Sequence, residues 1–145
     1  MYPIWWEDTI TIYNKYEDKQ TQLVTWYRHV ISNCFWKASN NKITINDTVI
    51  DSSNIICRIP KQENFIEKFD WEQMPNDLMG NYFTLGQGDI IVKGDIDFII
   101  DEYTKGRRST DLLSRYKSKG CLEIEQFSIN TGRGRCNEHY YVSGI

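Results

Sequence analysis

The chain has 145 residues, a net charge of −3, 40 % hydrophobic and 14 % aromatic residues, with five Trp and nine Tyr. That length suits one domain, 1–145, around one core, and the composition excludes disorder. An acidic balance argues against a general nucleic-acid binder, and no stretch reaches the roughly 18 apolar residues of a membrane span. The opening Met1-Tyr2-Pro3-Ile4-Trp5-Trp6-Glu7-Asp8 lacks the basic start and apolar run of a signal peptide, so the expectation is a protein made and kept in a cytosol.

In chain order, Trp5-Trp6 is an anchor for the start of the chain, on its own fold or on a neighbour. Thr9-Ile10-Thr11-Ile12-Tyr13 alternates polar and apolar, the period of a half-buried strand. Residues 23–37 are dominated by β-branched and aromatic side chains with no Pro or Gly inside. That is too long for an ordinary strand and predicts a bent or bulged one. Ile43-Thr44-Ile45 and Thr48-Val49-Ile50 flank Asn46-Asp47, two residues that tolerate positive φ, which predicts a hairpin. Residues 54–59 predict another strand, stopped by Pro60. The polar stretch 62–80 reads as an ordered excursion, with room for a short helix near 64–70 and the character of an interaction surface.

Tyr82-Phe83-Thr84-Leu85 and Ile90-Ile91-Val92 read as paired strands across Gly86-Gln87-Gly88-Asp89. Residues 96–100 are strand-like in pattern. Ser109-Thr110-Asp111 before Leu112 and Leu113 predicts a short helix, with a capping hydroxyl, that ends at Lys119-Gly120. Residues 121–130 and 139–142 are the last strands, joined through Thr131-Gly132-Arg133-Gly134-Arg135. The sum is mainly β: a small antiparallel β-barrel or sandwich with one short helix and a longer loop excursion.

Candidate chemistry is sparse. Gly86-Gln87-Gly88 precedes a strand, whereas a phosphate loop needs a helix start, so it reads as a turn. Cys34, Cys57, Cys121 and Cys136 form no C-x-x-C pair, and the nearest two are 15 apart. They read as reduced thiols, partly buried in strands, rather than as a zinc site completed by His29 or His139; no metal or cofactor is expected. Neither His is accompanied by a nucleophile motif, so no catalytic residue is assigned. Asp89, Asp95, Asp97, Asp101 and Glu102 do not have calcium-loop spacing and read as a solvated acidic face or a partner surface for basic residues.

Charge is unevenly placed. Residues 105–119 hold six basic residues (Lys105, Arg107, Arg108, Arg115, Lys117 and Lys119) and one acid, Asp111; residues 89–102 hold five acids and one Lys. Separated signs suit head-to-tail packing of identical subunits. Asp95, Asp97, Asp101, Glu102, Arg115, Lys117 and Lys119 are therefore candidate subunit contacts. Lys105, Arg107 and Arg108, together with Arg133 and Arg135 in the Gly-Arg-Gly-Arg loop, are candidates for contact with nucleic-acid phosphates, since Gly allows close approach and Arg supplies charge.

The opening Met1-Tyr2-Pro3-Ile4-Trp5-Trp6, then Thr9-Ile10-Thr11-Ile12-Tyr13-Asn14-Lys15, Ile56-Cys57-Arg58-Ile59-Pro60, the run Tyr82 through Gly94, Asp101-Glu102-Tyr103-Thr104, Arg108-Ser109-Thr110-Asp111-Leu112 and Asn130-Thr131-Gly132 together resemble an uncharacterised group of structural proteins from tailed phages and prophages of low-GC Gram-positive bacteria. The Gly-Asp-Ile-Ile-Val strand and the closing His139-Tyr140-Tyr141-Val142-Ser143-Gly144 are also similar to head-closure (stopper) proteins. That resemblance implies a homo-oligomeric ring, expected as a hexamer, in the virion neck after assembly in the host cytoplasm. Its partners would be the portal or adaptor, the tail terminator or tail tube, and packaged DNA held by non-specific contact. If the chain forms such a ring, the expectation is that the isolated chain is monomeric and assembles on its platform. A tail terminator ring is the nearest rival, a capsid decoration or minor capsid protein is a second class, and an enzyme or nuclease is a third with no assembled site.

Overall fold

The computed structural model describes residues 4–130 and 138–145, with backbone alone for 40–43 and 49–53. Six strands close into an antiparallel barrel: β1 (Asp8–Glu17), β2 (Val24–Ile45), β3 (Thr48–Pro60), β4 (Ile90–Lys93), β5 (Cys121–Asn130) and β6 (His139–Gly144), arranged in the order β1-β2-β3-β6-β5-β4. The alternative of an open sandwich is thereby settled in favour of closure, which leaves the barrel wall without a sheet edge.

The period of two sorts the side chains. Ile10 and Ile12 of β1, Ile91 of β4, and Leu122 and Ile124 of β5 point into the barrel with Ile59, Phe83, Leu85 and Val142. Their neighbours Tyr13, Ile90, Val92 and Cys121 point outward, yet they are also buried. The covering is α3 (Ser109–Tyr116), whose Leu112 and Tyr116 lie on this outer wall together with Ile100. Burial on both faces is why Ile90-Ile91-Val92 is apolar without alternation.

The long second strand contains the expected bulge. Pairing steps from Ile10↔Ile31 to Asp8↔Cys34, so β2 spends three residues where β1 spends two. Asn33 takes φ of 59° there, a left-handed conformation that Asn accepts. The extra residue lets Ile31 and Cys34 both reach the interior. Further along, β2 and β3 pair without a break from Phe35↔Arg58 to Ile45↔Thr48. Asn46 (φ 51°) and Asp47 (φ 60°) make the two-residue turn that the sequence predicts. β6 joins β3 only from Ile55 onward, and β1 leaves β2 at Cys34. The distal part, 39–54, is therefore a two-stranded ribbon that runs past the barrel.

Two expected strands do not form. Residues 82–85 are irregular because β4 is already paired with β1 and β5. The Phe83 and Ile66 amides instead exchange hydrogen bonds with the carbonyls of Asn64 and Phe83, each 3.0 Å. Residues 96–100 alternate in exposure as a strand would, but a closed barrel offers no edge to join. They lie across the outer wall, where Tyr13 Oη donates to the Phe98 carbonyl (2.6 Å) and the Ile96 amide donates to Thr11 Oγ1 (2.9 Å).

The 62–80 excursion holds two short helices, α1 (Lys68–Glu72) and α2 (Asn76–Met79), rather than one near 64–70. Trp71 and Met79 are fully buried. Trp71 stands edge-on to Tyr16 and Tyr27, and its Nε1 donates to the carbonyls of Met79 (3.3 Å) and Tyr82 (3.2 Å). The excursion therefore contributes core as well as surface. At the start of the chain Trp6 is buried edge-on to His139 (5.2 Å), whereas Trp5 is 64 % exposed. No helix among the described residues is long and apolar enough to cross a membrane.

Candidate functional site: barrel mouth and charged outer wall

The phase of β1 places Asn14 on the same inward side as Ile10 and Ile12, and it is fully buried. A buried amide must find partners. Asn14 Nδ2 donates to the Thr84 carbonyl and to Asp89 Oδ2 (3.1 Å), and its Oδ1 accepts from the Thr84 amide (3.2 Å). Asp89 is also fully buried, which corrects the expectation of a solvated face at this residue. Its Oδ1 accepts from the Lys15 amide (2.9 Å) and Lys68 Nζ (2.8 Å), and its Oδ2 from the Gly86 amide (3.1 Å). Lys68 Nζ also donates to the Lys15 carbonyl at 3.0 Å. Burial pushes the Asp89 pKa up, while Lys68, the Lys15 amide and Asn14 pull it back. These contacts latch the 62–89 excursion to the rim of β1. The turn needs Gly88, whose φ is +93°.

The remaining acids divide by task. Asp95 pairs with Arg28 (3.0 Å) at the surface. Asp101 accepts from the Tyr103 amide (2.9 Å) and Thr104 Oγ1 (2.7 Å), and these bonds hold its pKa below the usual carboxylate value. Glu102 accepts from the Ser109 amide (2.7 Å), and Asp111 accepts from the Arg108 amide (3.0 Å). The start of α3 is thus capped by two carboxylates rather than by the Ser109 hydroxyl, because acids suit the positive end of a helix at least as well. Asp97 is exposed.

Lys105, Arg107 and Arg108 are exposed on the turn before α3, where the Arg107 carbonyl accepts from the Asp101 amide (2.7 Å). Arg133 and Arg135 lie outside the described residues, as does Cys136. Arg115, Arg107 and Asp97 line one shallow cavity of about 290 Å³. Lys117 and Lys119 line another, together with Lys93, a residue the charge pattern alone did not single out. Of the seven candidate contact residues, Asp97 and Arg115 thus share one cavity and Lys117 and Lys119 the other, while Asp95, Asp101 and Glu102 line neither.

The thiols and imidazoles serve the fold. Cys34, Cys57 and Cys121 are free and buried in β2, β3 and β5. Burial pushes Cys34 and Cys121 up to about 12 and raises Cys57 well above its usual value, so they stay protonated and unreactive. His139 Nε2 lies 2.9 Å from Arg58 Nη1 and 3.1 Å from Asn130 Nδ2, accepting from both. His29 Nε2 is buried without a hydrogen-bond partner among the described residues, and desolvation lowers its pKa. Among the described residues, no group of three or more His, Cys, Asp and Glu gathers to hold a metal.

A family model matches residues 5–145. The chain belongs to DUF6751, a family of unknown function. No curated protein and no solved structure matches it. The closed barrel, its Asn14–Asp89–Lys68 latch and its charged wall therefore describe a DUF6751 member in its own terms.

Asn14, Thr84 and Lys68 were missed from sequence. Asn14 had a usable signal, a polar residue in the inward phase of an alternating strand. Lys68 had none, since only the folded excursion brings it to Asp89.

Proposed function

We propose that this protein is a structural component of a tailed-phage neck, a head-closure ring that joins the portal-adaptor to the tail and retains packaged DNA. The observation that carries the reading is a small closed barrel from which a two-stranded ribbon extends without a third strand. Isolated two-stranded ribbons are marginal in water, so one of this length suits a protein that completes its packing in an assembly. The latched 62–89 excursion and the doubly covered wall supply the rigidity such a ring needs. The described helices are four to eight residues long, which favours head closure over a mixed α/β tail terminator.

In this reading the exposed turn with Lys105, Arg107 and Arg108, or the loop with Arg133 and Arg135, faces DNA. Contact with phosphates would be sequence-independent and would weaken as salt rises. The test is a cryo-EM map of the intact particle made by a host that encodes the chain. The expected result is a barrel ring between the portal-adaptor and the tail tube. Density on the capsid shell would replace this reading with a decoration role, and absence from the particle would remove it.

A further inference from the structure

β2 and β3 leave the barrel together and continue as a two-stranded ribbon. β1 pairs with β2 only as far as Cys34, and β6 pairs with β3 only from Ile55 onward. Beyond those limits, residues 39–45 and 48–54 have only each other as partners among the described strands. Their register is unbroken from Ser39↔Asn54 to Ile45↔Thr48. No residue of the charged 95–102 and 105–119 segments lies on this ribbon.

An antiparallel ladder alternates pairs whose amides and carbonyls face each other with pairs whose groups face outward. A two-residue turn closes on a hydrogen-bonded pair, here Ile45↔Thr48. Counting back from it, the outward backbone groups are those of Ala38, Asn40, Lys42 and Thr44 on β2, and of Val49, Asp51 and Ser53 on β3. Nearer the barrel the same phase is visible. Trp36, the next of the β2 set, sends its amide to Asp8 Oδ2 at 3.2 Å, and Ile55, the next of the β3 set, is where pairing with β6 begins. The ribbon therefore has two open edges, and neither a Pro nor a bulge interrupts them.

We propose that the β3 edge of one copy's ribbon takes up the β2 edge of a second copy's ribbon, so that the sheet continues from chain to chain. The proposal rests on the ring reading and names its contact. The occupant follows from the register. β2 is the strand whose match to β3 the fold already displays, over eleven residue pairs. Repeating that register on the outer edge brings Val49, Asp51 and Ser53 opposite Thr44, Lys42 and Asn40 of the second copy. All of these are outward positions, so each pair exchanges both backbone hydrogen bonds. A slip of one residue would set outward groups against inward ones. Asp51 then stands opposite a Lys42 on either side. Pairing two β3 edges through the same three residues would instead set Asp51 opposite Asp51, like charges directly opposed. Two like edges also pair only with their barrels at opposite ends, which closes a two-fold dimer. β3 against β2 leaves both barrels at one end, and this heterologous contact repeats from copy to copy as a ring requires.

The test uses the full chain with Cys136→Ser, to remove the cysteine outside the buried set. One preparation carries Ile45→Cys and another Thr48→Cys, positions that face each other across the new ladder as a non-hydrogen-bonded pair. Mixed at millimolar concentration and oxidised, they are expected to give the 45–48 disulfide heterodimer about tenfold above the level that random collision sets. Cross-linking traps even a sparsely populated contact, so a heterodimer at the random level overturns the proposal. Ser53→Pro removes an outward amide and spares the ladder within the chain. Placed in the Thr48→Cys copy it should lower the yield at least about fivefold; in the Ile45→Cys copy, whose β3 edge the linked pair does not use, it should leave the yield unchanged. Equal yields in the two arms would overturn the choice of edge. Cross-linking by a chain that the particle map places outside the neck would sink the ring reading alone. A neck ring whose ribbons stand apart would sink this contact alone.

Discussion

Asp89 shows what a single buried carboxylate demands. Its two oxygens receive Lys68, two backbone amides and the Asn14 amide group. Asp89→Asn would turn one of those acceptors into a donor facing donors. The expected loss is about 2–4 kcal/mol of unfolding free energy, read by urea titration at neutral pH. Asp95→Asn is the contrast: its partner Arg28 is at the surface, and the change should cost under about 1 kcal/mol.

His29 makes a pH prediction with a definite sign. Desolvation lowers its folded pKa below the unfolded value of about 6.5. The unfolded chain then binds the proton more readily, so stability present above about pH 6.5 is lost as pH falls toward the folded pKa. Denaturation midpoints should drop between pH 7.5 and 5. His29→Gln should flatten that part of the curve; an equal slope in the variant would assign it to other groups.

At the scale of elements, closure of the barrel turns on the last strand. Gly144 pairs with both Ile55 and Ile124, next to the irregularity in the β5–β6 register. A Cβ at this position would meet the Glu123 carbonyl oxygen at 2.0 Å, and backbone cannot yield as a flexible side chain can. Gly144→Ala is expected to cost at least about 2 kcal/mol and to loosen the β5–β6 seam, seen as faster amide exchange at Phe127 and Val142. The two strand-like segments that did not become strands follow from the same closure. Once each wall strand has two partners, 82–85 and 96–100 have nothing to pair with; they pack against the 64–66 stretch and across the outer wall instead.

At the scale of the whole molecule, function in this reading is a matter of surfaces. The purified chain should run as a monomer at micromolar concentration, because in this reading it assembles only on its platform; stable rings there would contradict that. Arg107→Glu with Arg108→Glu changes side chains exposed at the turn, so the fold should survive while particles lose packaged DNA if this turn faces the lumen. Wild-type retention in those particles would assign the lumen to another surface.

The sequence by itself determined the local grammar. Asn46-Asp47 specified a tight turn because both tolerate positive φ. The unbroken β-branched and aromatic run of residues 23–37 specified a long strand that had to bulge. Ser109 to Gly120 specified a short helix, and the mainly β class followed from spacing. Tertiary structure decided what depends on partners distant in the chain: closure over an open sandwich, the fate of 82–85 and 96–100, and the burial of Asp89. It also decided which lysines share a groove. Lys93 and Lys117 are 24 positions apart in sequence, and only the path of α3 back along the wall brings them to one cleft. Period and propensity report on neighbours within a few residues, whereas a buried charge or a shared groove is set by contacts across the barrel.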